Sequence, residues 1–281
     1  MNNLHEQARA LKLSECADNV GYAEETIPVV SRRFGSWQIS VRRLAFSSPE
    51  LVRQYDKVAP GWGRTLDRLG YPGAYEKMLR RVLSEEKLKV DGARPRVLDC
   101  GVGTGALSSA LARVSPAPFD LDGIDTSSRM LVQAGINLSH NNLELRLRHG
   151  DVRKLPYESD VFDVVMTAHM LEHLVDPTIA LNEMVRVLKP GGLLIAFITR
   201  RSALGMLVHL KWRTHRVTST QAKGWLLERG LKSVQSLSFD DGALRKRLSL
   251  ACIGRKPGLV GLQWPMPDDS AINTRSFATT P

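Results

Sequence analysis

Short apolar runs and amphipathic stretches alternate along residues 94–256. Each apolar run predicts a strand, and each stretch with apolar positions three or four residues apart predicts a helix. The strands fall in "PRVLDCG", "FDLDGID", "LELRLRHGD", "VFDVVMTAH", "GGLLIAFITR", "KSVQSLSF" and "RLSLACIGRK". The helices fall in "LSSALARV", "SSRMLVQAGIN", "PTIALNEMVRVL" and "TQAKGWLLERG". This alternation indicates right-handed βαβ units, so we predict an α/β fold with a seven-stranded, mainly parallel sheet.

The last two predicted strands are joined only by a short loop around Asp240–Gly242. Such a connection makes a hairpin, because parallel strands need a longer crossover, so the last strand is predicted to run antiparallel. Upstream, residues 47–93 predict a helical cap of two or three helices, broken at Pro60-Gly61 and at Tyr71-Pro72-Gly73. Residues 200–220 are predicted to form a substrate-cap insertion within the main domain.

The two ends of the chain have weaker patterns. Residues 1–46 are expected to form a loosely ordered arm in which only "SWQISV" makes a strand, and residues 257–281 a mostly disordered tail. The start has no apolar signal core, and no stretch reaches the roughly 18–20 apolar residues of a transmembrane helix. The three cysteines are scattered without C-x-x-C spacing, which fits a reducing compartment. We therefore expect a cytoplasmic protein.

The positive charge is concentrated in one region. Residues 200–256 hold 13 Lys and Arg against 3 Asp and Glu, so the chain's whole net charge of +10 falls there. This basic region flanks the apolar stripe "ALGMLVHLKW". An apolar ligand with an acidic head, an anionic membrane surface or nucleic acid would suit the charge, and a cap helix with solvated arginines is the simpler alternative.

A glycine-rich turn follows the first strand of this domain. Gly101, Gly103 and Gly105 come directly after Asp99, with Thr104 between them, and the helix "LSSALARV" follows. Such a turn at the carboxyl end of a strand leaves backbone N–H groups open to a nucleotide-type ligand. Because glycine turns are common, the motif alone is weak evidence.

Two carboxylates close the next two strands. Asp125 lies 20 residues beyond Gly105, where an acid can bind the two hydroxyls of a ribose, although Asp125 or Thr126 could instead cap the following helix. Asp151 closes the third strand, where it could accept from an exocyclic amine or serve as a turn residue.

"AHMLEHL" contains His169, Glu172 and His173 in an H-x-x-E-H arrangement. On a helix this spacing puts three metal ligands on one face. The motif, however, follows the buried strand "FDVVMT" and does not lie inside a helix, so a zinc-peptidase site is not predicted. Instead, His169 is expected at the floor of a pocket, with Glu172 and His173 in the next short helix.

Six stretches then carry a family resemblance: "VLDCGVGTG", "GIDTSSRML", "GDVRKLP", "FDVVMTAHMLEHL", "ALNEMVRVLKPGGLLIAF" and "SLACIGRKP". In this order and spacing the chain resembles the class I S-adenosylmethionine-dependent methyltransferases, particularly the ubiquinone- and menaquinone-biosynthesis and small-molecule subgroup. The resemblance covers about residues 95–256, and "YDKVAPGW" extends it to about residue 50. The chain departs from the subgroup at Trp62-Gly63, where Tyr-Asp is frequent. The resemblance implies a Rossmann-like fold and S-adenosyl-L-methionine as cofactor.

The resemblance also implies roles for individual residues. Near the methionine part of the cofactor it places Tyr55, Asp99, Gly101, Gly103, Thr104 and Gly105. Asp125 with Thr126 would meet the ribose, and Met130, Asp151 and Val152 the adenine. Ala168 and His169 would lie beneath the sulfonium, and no metal site is implied.

The implied reaction is methyl transfer by in-line displacement to a small-molecule acceptor that is apolar or partly acidic, such as a quinone precursor, lipid or secondary metabolite. A base is needed only if the acceptor must lose a proton, and His169 is the candidate, with shaping of the pocket floor as its other role. Peripheral contact with an anionic membrane is also expected.

Three alternatives remain. An RNA methyltransferase would use the basic region, but no separate RNA-binding module is evident, so nucleic acid is the weaker prediction. A metal-dependent O-methyltransferase would use His169, Glu172 and His173. An NAD dehydrogenase shares the glycine turn, but does not account for "LEHL" and "RVLKPGG".

Overall fold

The computed structural model describes residues 26–86, 94–141, 143–199, 212–214, 217–239 and 249–258. Most of the predicted 200–220 insertion, nearly all of the 257–281 tail and the first part of the arm therefore lie outside the described residues. The expectations for those segments stay predictions.

Within the described residues, nine strands form two sheets. They are β1 (Thr26–Phe34), β2 (Trp37–Leu44), β3 (Arg96–Cys100), β4 (Asp120–Asp125), β5 (Glu144–His149), β6 (Phe162–Ala168), β7 (Leu188–Thr199), β8 (Lys232–Ser238) and β9 (Ser249–Arg255). The seven strands from β3 onward make one sheet in the order β5-β4-β3-β6-β7-β9-β8. Within it β9 runs antiparallel to the other six strands. The prediction of a Rossmann-like, mainly parallel sheet with an antiparallel last strand is confirmed.

The described part of the chain also contains six α-helices. They are α1 (Ser48–Arg68), α2 (Tyr71–Glu86), α3 (Ala106–Val114), α4 (Ser128–Leu138), α5 (Pro177–Val187) and α6 (Ser219–Glu228), with a 3₁₀ turn at Leu171–His173. One core joins α2, α3 and α4 to one face of the large sheet, and a second joins α5 and α6 to the other face. Neighbouring residues such as Val97 and Leu98 enter opposite cores. Burial on both faces is why these strands are continuous apolar runs in the sequence.

Helix α1 differs from its prediction. It continues through Pro60-Gly61, where the sequence predicts a break, and the chain turns instead at Leu69 and Gly70, which has a φ of 69°. Pro60 removes one backbone donor, and its ring crowds the carbonyl four residues earlier. Because Ala59 beside it is buried and α1 packs against α4, tertiary contacts outweigh that local cost.

The arm also differs from its prediction. Residues 26–44 are not loosely ordered: β1 and β2 form an antiparallel hairpin with a two-residue turn, in which Phe34 lies opposite Trp37. Gly35 in the turn has a φ of 58°, which suits a tight hairpin connection. The single strand predicted in "SWQISV" therefore has a partner, which the weak pattern of β1 does not indicate.

No helix among the described residues is long and apolar enough to cross a membrane.

A buried carboxylate joins three strands at the amino end of the sheet. Asp163 on β6 is 2% exposed, and it accepts a hydrogen bond from the backbone N of Arg96 on β3 at 2.8 Å. Its two oxygens also accept from Lys189 Nζ on β7, both at 2.9 Å.

We expect Asp163→Asn to lower the free energy of unfolding by about 1–3 kcal/mol, because it removes the charge that pairs with Lys189. Chemical denaturation measures this. Asp160→Asn is the matched control, since Asp160 pairs with Lys256 at the exposed surface and its loss should cost less than ~1 kcal/mol. Equal effects of the two substitutions would contradict the role assigned to Asp163.

Candidate functional site

A cavity of about 430 Å³ lies at the carboxyl ends of β3, β4 and β6. Its walls come from the loops that follow these strands, from α1 and α2, and from the segment around Trp212. In open parallel sheets this edge is where ligands bind. Every site residue predicted from the sequence except Gly105 lines the cavity, while the individual roles stay predictions.

The glycine turn forms the cavity's edge after β3. Gly103 has a φ of 52°, and a Cβ added there would meet only the carbonyl oxygen of Gly101, at 4.0 Å, so the turn leaves space beside the backbone. Gly105 lies behind the turn, where an added Cβ would meet Leu138 of α4 at 2.9 Å. Its position therefore serves the packing of α3 on α4, and it does not face the cavity.

Asp125 holds the turn in place. One carboxylate oxygen accepts from the backbone N of Gly103 at 2.9 Å, and the other accepts from the backbone N of Ser127 at 2.8 Å. Burial raises the pKa of Asp125, while these hydrogen bonds and the nearby His149 oppose that shift. Ser127 is the N-cap of α4 and accepts from the backbone N of Met130. The alternative in which Asp125 or Thr126 caps this helix is therefore wrong.

Asp99 is the most unusual carboxylate of the cavity. It is 1% exposed, and Oδ2 accepts from Ser108 Oγ at 2.6 Å while Oδ1 has no hydrogen-bond partner within the described residues. Burial raises the pKa of Asp99 to about 7, against the hydrogen bond from Ser108, and the charge of Asp125 adds to the rise. A buried acceptor without a partner beside a cavity is suited to a cationic or donor group of a ligand.

Asp151 is engaged by a residue that sequence analysis missed. Arg153 donates to Asp151 Oδ2 at 2.6 Å and to Ser48 Oγ, at the start of α1, at 3.0 Å. Burial raises the pKa of Asp151, but the hydrogen bonds from Arg153 outweigh it and the net pKa is lowered. A ligand amine at Asp151 would share the carboxylate with Arg153. Arg153 lies two positions after Asp151 in the sequence, and this spacing was the signal from which the ion pair could have been predicted.

His169 lies at the floor of the cavity with a left-handed backbone, φ 55°. Its Nδ1 is 3.0 Å from Thr199 Oγ1 and 3.4 Å from Glu172 Oε1, which also accepts from the backbone N of Thr199 at 2.9 Å. Its Nε2 is buried and has no hydrogen-bond partner within the described residues. The Tyr71 ring meets the imidazole edge-on, with ring centres 5.3 Å apart. The sequence predicts a helix break at Tyr71, so it gave no reason to expect this contact.

Glu172 is 1% exposed in the 3₁₀ turn that follows His169. Burial opposes its ionisation, but the hydrogen bond and charge of His169, the charge of His173 and the hydrogen bond from Thr199 outweigh burial and lower its pKa to about 2. In the described part of the chain, no group of three His, Cys, Asp or Glu is placed to hold a metal ion. The H-x-x-E-H residues therefore form a hydrogen-bonded floor there, without a metal geometry.

Aromatic rings close the cavity on the cap side. Tyr55 of α1 stacks on Trp212 with ring centres 4.9 Å apart, and its hydroxyl is 2.8 Å from His173 Nε2. Trp62 meets both Tyr55 and Trp212 edge-on, at 6.2 and 5.5 Å. Burial, with the charges of Glu172 and Asp125, raises the pKa of Tyr55, so the phenol stays protonated. Trp62, at a position where the chain departs from the family resemblance, thus forms part of this wall.

We expect the contribution of Asp99 to the stability of the protein to fall as pH rises from about 4 to 7. The folded state holds the Asp99 proton up to about pH 7, whereas an ordinary aspartate loses it near 4, so the folded state binds more protons across this window. Asp99→Asn removes the titration and should become the more stable form as pH rises, by about 1.4 kcal/mol per pKa unit. Urea denaturation of both proteins from pH 4.5 to 8 measures this, and parallel stability curves would contradict it.

Comparison with known proteins agrees with this geometry. Residues 98–196 match the family described as "Methyltransferase domain". The chain is 32% identical over 153 residues to the demethylmenaquinone methyltransferase of Staphylococcus aureus (strain MRSA252). The matched segment covers 54% of this chain and 62% of that protein. The chain thus spans less than two thirds of the length of this curated relative.

Two solved structures share the fold. A candidate methyltransferase in complex with the Haloferax volcanii Trm112 methyltransferase activator superposes with a TM-score of 0.57 at 20% identity, over 72% of this chain and 97% of that one. A S-adenosylmethionine-dependent methyltransferase from Thermotoga maritima gives 0.56 at 19% identity, over 73% and 99%. Residues 98–196 thus match the methyltransferase-domain family and the fold is shared with both structures, as the resemblance found in the sequence implies.

Proposed function

We propose that this protein transfers a methyl group from S-adenosylmethionine to a small, largely apolar acceptor. The observation that carries the proposal is the convergence of the glycine turn, Asp125 and His169 on one cavity of about 430 Å³. A cavity of this size is within the range of small-molecule sites. Location in the cytoplasm stays a prediction beside it.

The residues present fit the cofactor. Asp125 offers carboxylate oxygens for the ribose hydroxyls. Asp99 Oδ1, which has no hydrogen-bond partner among the described residues, suits the ammonium of the methionine part. A cation there would lower the pKa of Asp99 from its raised value. Met130 and Val152 offer apolar surface for the adenine. When bound, S-adenosylmethionine supplies an electrophilic methyl group on its sulfonium.

His169 and Glu172 are arranged for proton transfer. An ionised Glu172 beside Nδ1 favours the tautomer that carries the proton on Nδ1, which leaves Nε2 as the basic atom. Because Nε2 lies at the cavity floor and has no hydrogen-bond partner within the described residues, we assign it to accept a hydroxyl proton of the acceptor. Glu172 acts here as a positioning residue.

The acceptor class follows from the cap-side wall. Leu51 and Leu66 of α1, and Leu69 directly after it, line the cavity together with the rings of Trp62 and Trp212. This wall offers an aromatic ring or a hydrocarbon chain extensive apolar contact. The Staphylococcus aureus relative is named for demethylmenaquinone, so a hydroxylated quinone precursor is the acceptor we propose to test first.

Asp125→Asn should weaken S-adenosylmethionine binding at least about tenfold, because a carboxylate accepts two hydroxyl donors more strongly than an amide does. Isothermal titration calorimetry measures the affinity. Asp120→Asn is the matched control, since Asp120 begins the same strand and pairs with Arg94 and Arg146. No binding by the unmodified protein would refute the proposed function, and equal affinity of the Asp125 variant would refute the ribose assignment.

His169→Asn should lower kcat about 10²-fold or more with hydroxylated acceptors, while the cofactor Kd changes little. Asn tolerates the left-handed backbone of this position. Glu172→Gln should cause a smaller loss and displace the pH–rate profile, because it alters how Nδ1 is held. His140→Asn, at an exposed histidine, is the control. A loss confined to KM would assign His169 to shaping the pocket instead.

A further inference from the structure

The hairpin β1–β2 carries an unusual share of exposed apolar surface. Ten large hydrophobic side chains are exposed in the described chain, and five of them lie between residues 34 and 44. They are Phe34, Trp37, Ile39, Val41 and Leu44, and Trp37 is 77% exposed. A soluble protein seldom gathers such residues without a partner for them.

The strand geometry places most of these side chains on one face. Trp37, Ile39 and Val41 alternate along β2, so they point to the same side of the hairpin. Phe34 lies directly opposite Trp37, and directly opposed residues share a face, so it joins them. Gln38 and Ser40 occupy the other face. The hairpin is therefore amphipathic, with its largest rings at the turn.

Its charge is uniformly positive. Residues 26–44 contain Arg32, Arg33, Arg42 and Arg43 and no aspartate or glutamate. Arg32 lies opposite Ile39, so at least one guanidinium stands on the apolar face, beside residues that could enter an apolar medium. Long arginine stems allow the charge to stay at the polar boundary while the apolar side chains go deeper.

We propose that this hairpin docks the protein on an anionic lipid surface, with Phe34, Trp37, Ile39 and Val41 entering the interface and the arginines meeting the headgroups. Tryptophan is enriched at such interfaces, and juxtamembrane basic residues are attracted to anionic lipid. A second copy of the hairpin fits less well, because pairing would oppose two sets of four positive charges. Nucleic acid would contact the arginines, but it would leave the apolar side chains of Ile39 and Val41 exposed to water.

The hairpin, residues 26–44, shares no residue with the basic region 200–256 for which the sequence predicts membrane contact. Docking there also goes beyond the proposed methyl transfer, because it requires no reaction. Failure of one idea therefore leaves the other standing.

Co-sedimentation of the full chain with vesicles tests the proposal. We expect binding to vesicles of phosphatidylcholine mixed with phosphatidylglycerol, weak binding to phosphatidylcholine alone, and loss of binding as salt is raised. Trp37→Ser with Ile39→Ser should reduce binding at least about tenfold. Arg32→Gln with Arg33→Gln should do the same at low salt, and it tests the charge without altering the apolar face.

Two matched controls separate the hairpin from general surface effects. Val132→Ser with Ile136→Ser removes exposed apolar residues of α4, and Arg80→Gln with Lys232→Gln removes two exposed charges elsewhere. Both should bind vesicles as the unmodified protein does. The proposal is overturned if the unmodified protein ignores anionic vesicles, if both hairpin variants still bind, or if the hairpin variants lose only retention on RNA.

Discussion

The carboxylate of Asp125 connects three parts of the molecule that the site requires. It holds the backbone of Gly103 after β3 and the backbone of Ser127 before α4, and Ser127 Oγ donates to Asp56 of α1 at 2.6 Å. Parallel strands bring the ends of β3 and β4 to one edge, and these bonds help to fix the glycine turn, the helix and the cap relative to one another. A buried acid can accept them because each bond offsets part of its desolvation.

At the floor of the cavity, hydrogen bonds likewise hold one side chain, His169, in place. His169 adopts a left-handed backbone directly after β6, where a histidine is tolerated better than a β-branched residue. Glu172 and Thr199 hold Nδ1 from one side, so that Nε2 remains at the cavity. The left-handed backbone of His169 costs stability, and so does its buried Nε2, which has no hydrogen-bond partner within the described residues. Both features therefore support a role in chemistry more than in folding.

The two proposals share a physical theme. A cavity wall of leucine and tryptophan suits acceptors that dissolve poorly in water, and a basic hairpin with exposed rings suits the surface where such acceptors collect. The chain needs no membrane-crossing helix for this arrangement. An enzyme docked at an interface would meet an apolar acceptor at a higher local concentration than one in solution.

The sequence by itself determined the sheet, because strands buried on both faces leave apolar runs that local patterns detect, and it determined the acids that close β3, β4 and β5. Only the tertiary structure decided which of several adjacent residues takes each structural role. Asp125, Thr126 and Ser127 are all residue types that can cap the start of a helix, and in the folded chain Ser127 is the N-cap of α4. Pro60 continues a helix because Ala59 is buried, and Tyr55 meets Trp212 across a separation that no local pattern encodes. These outcomes depend on contacts between distant segments, so sequence periodicity could not predict them.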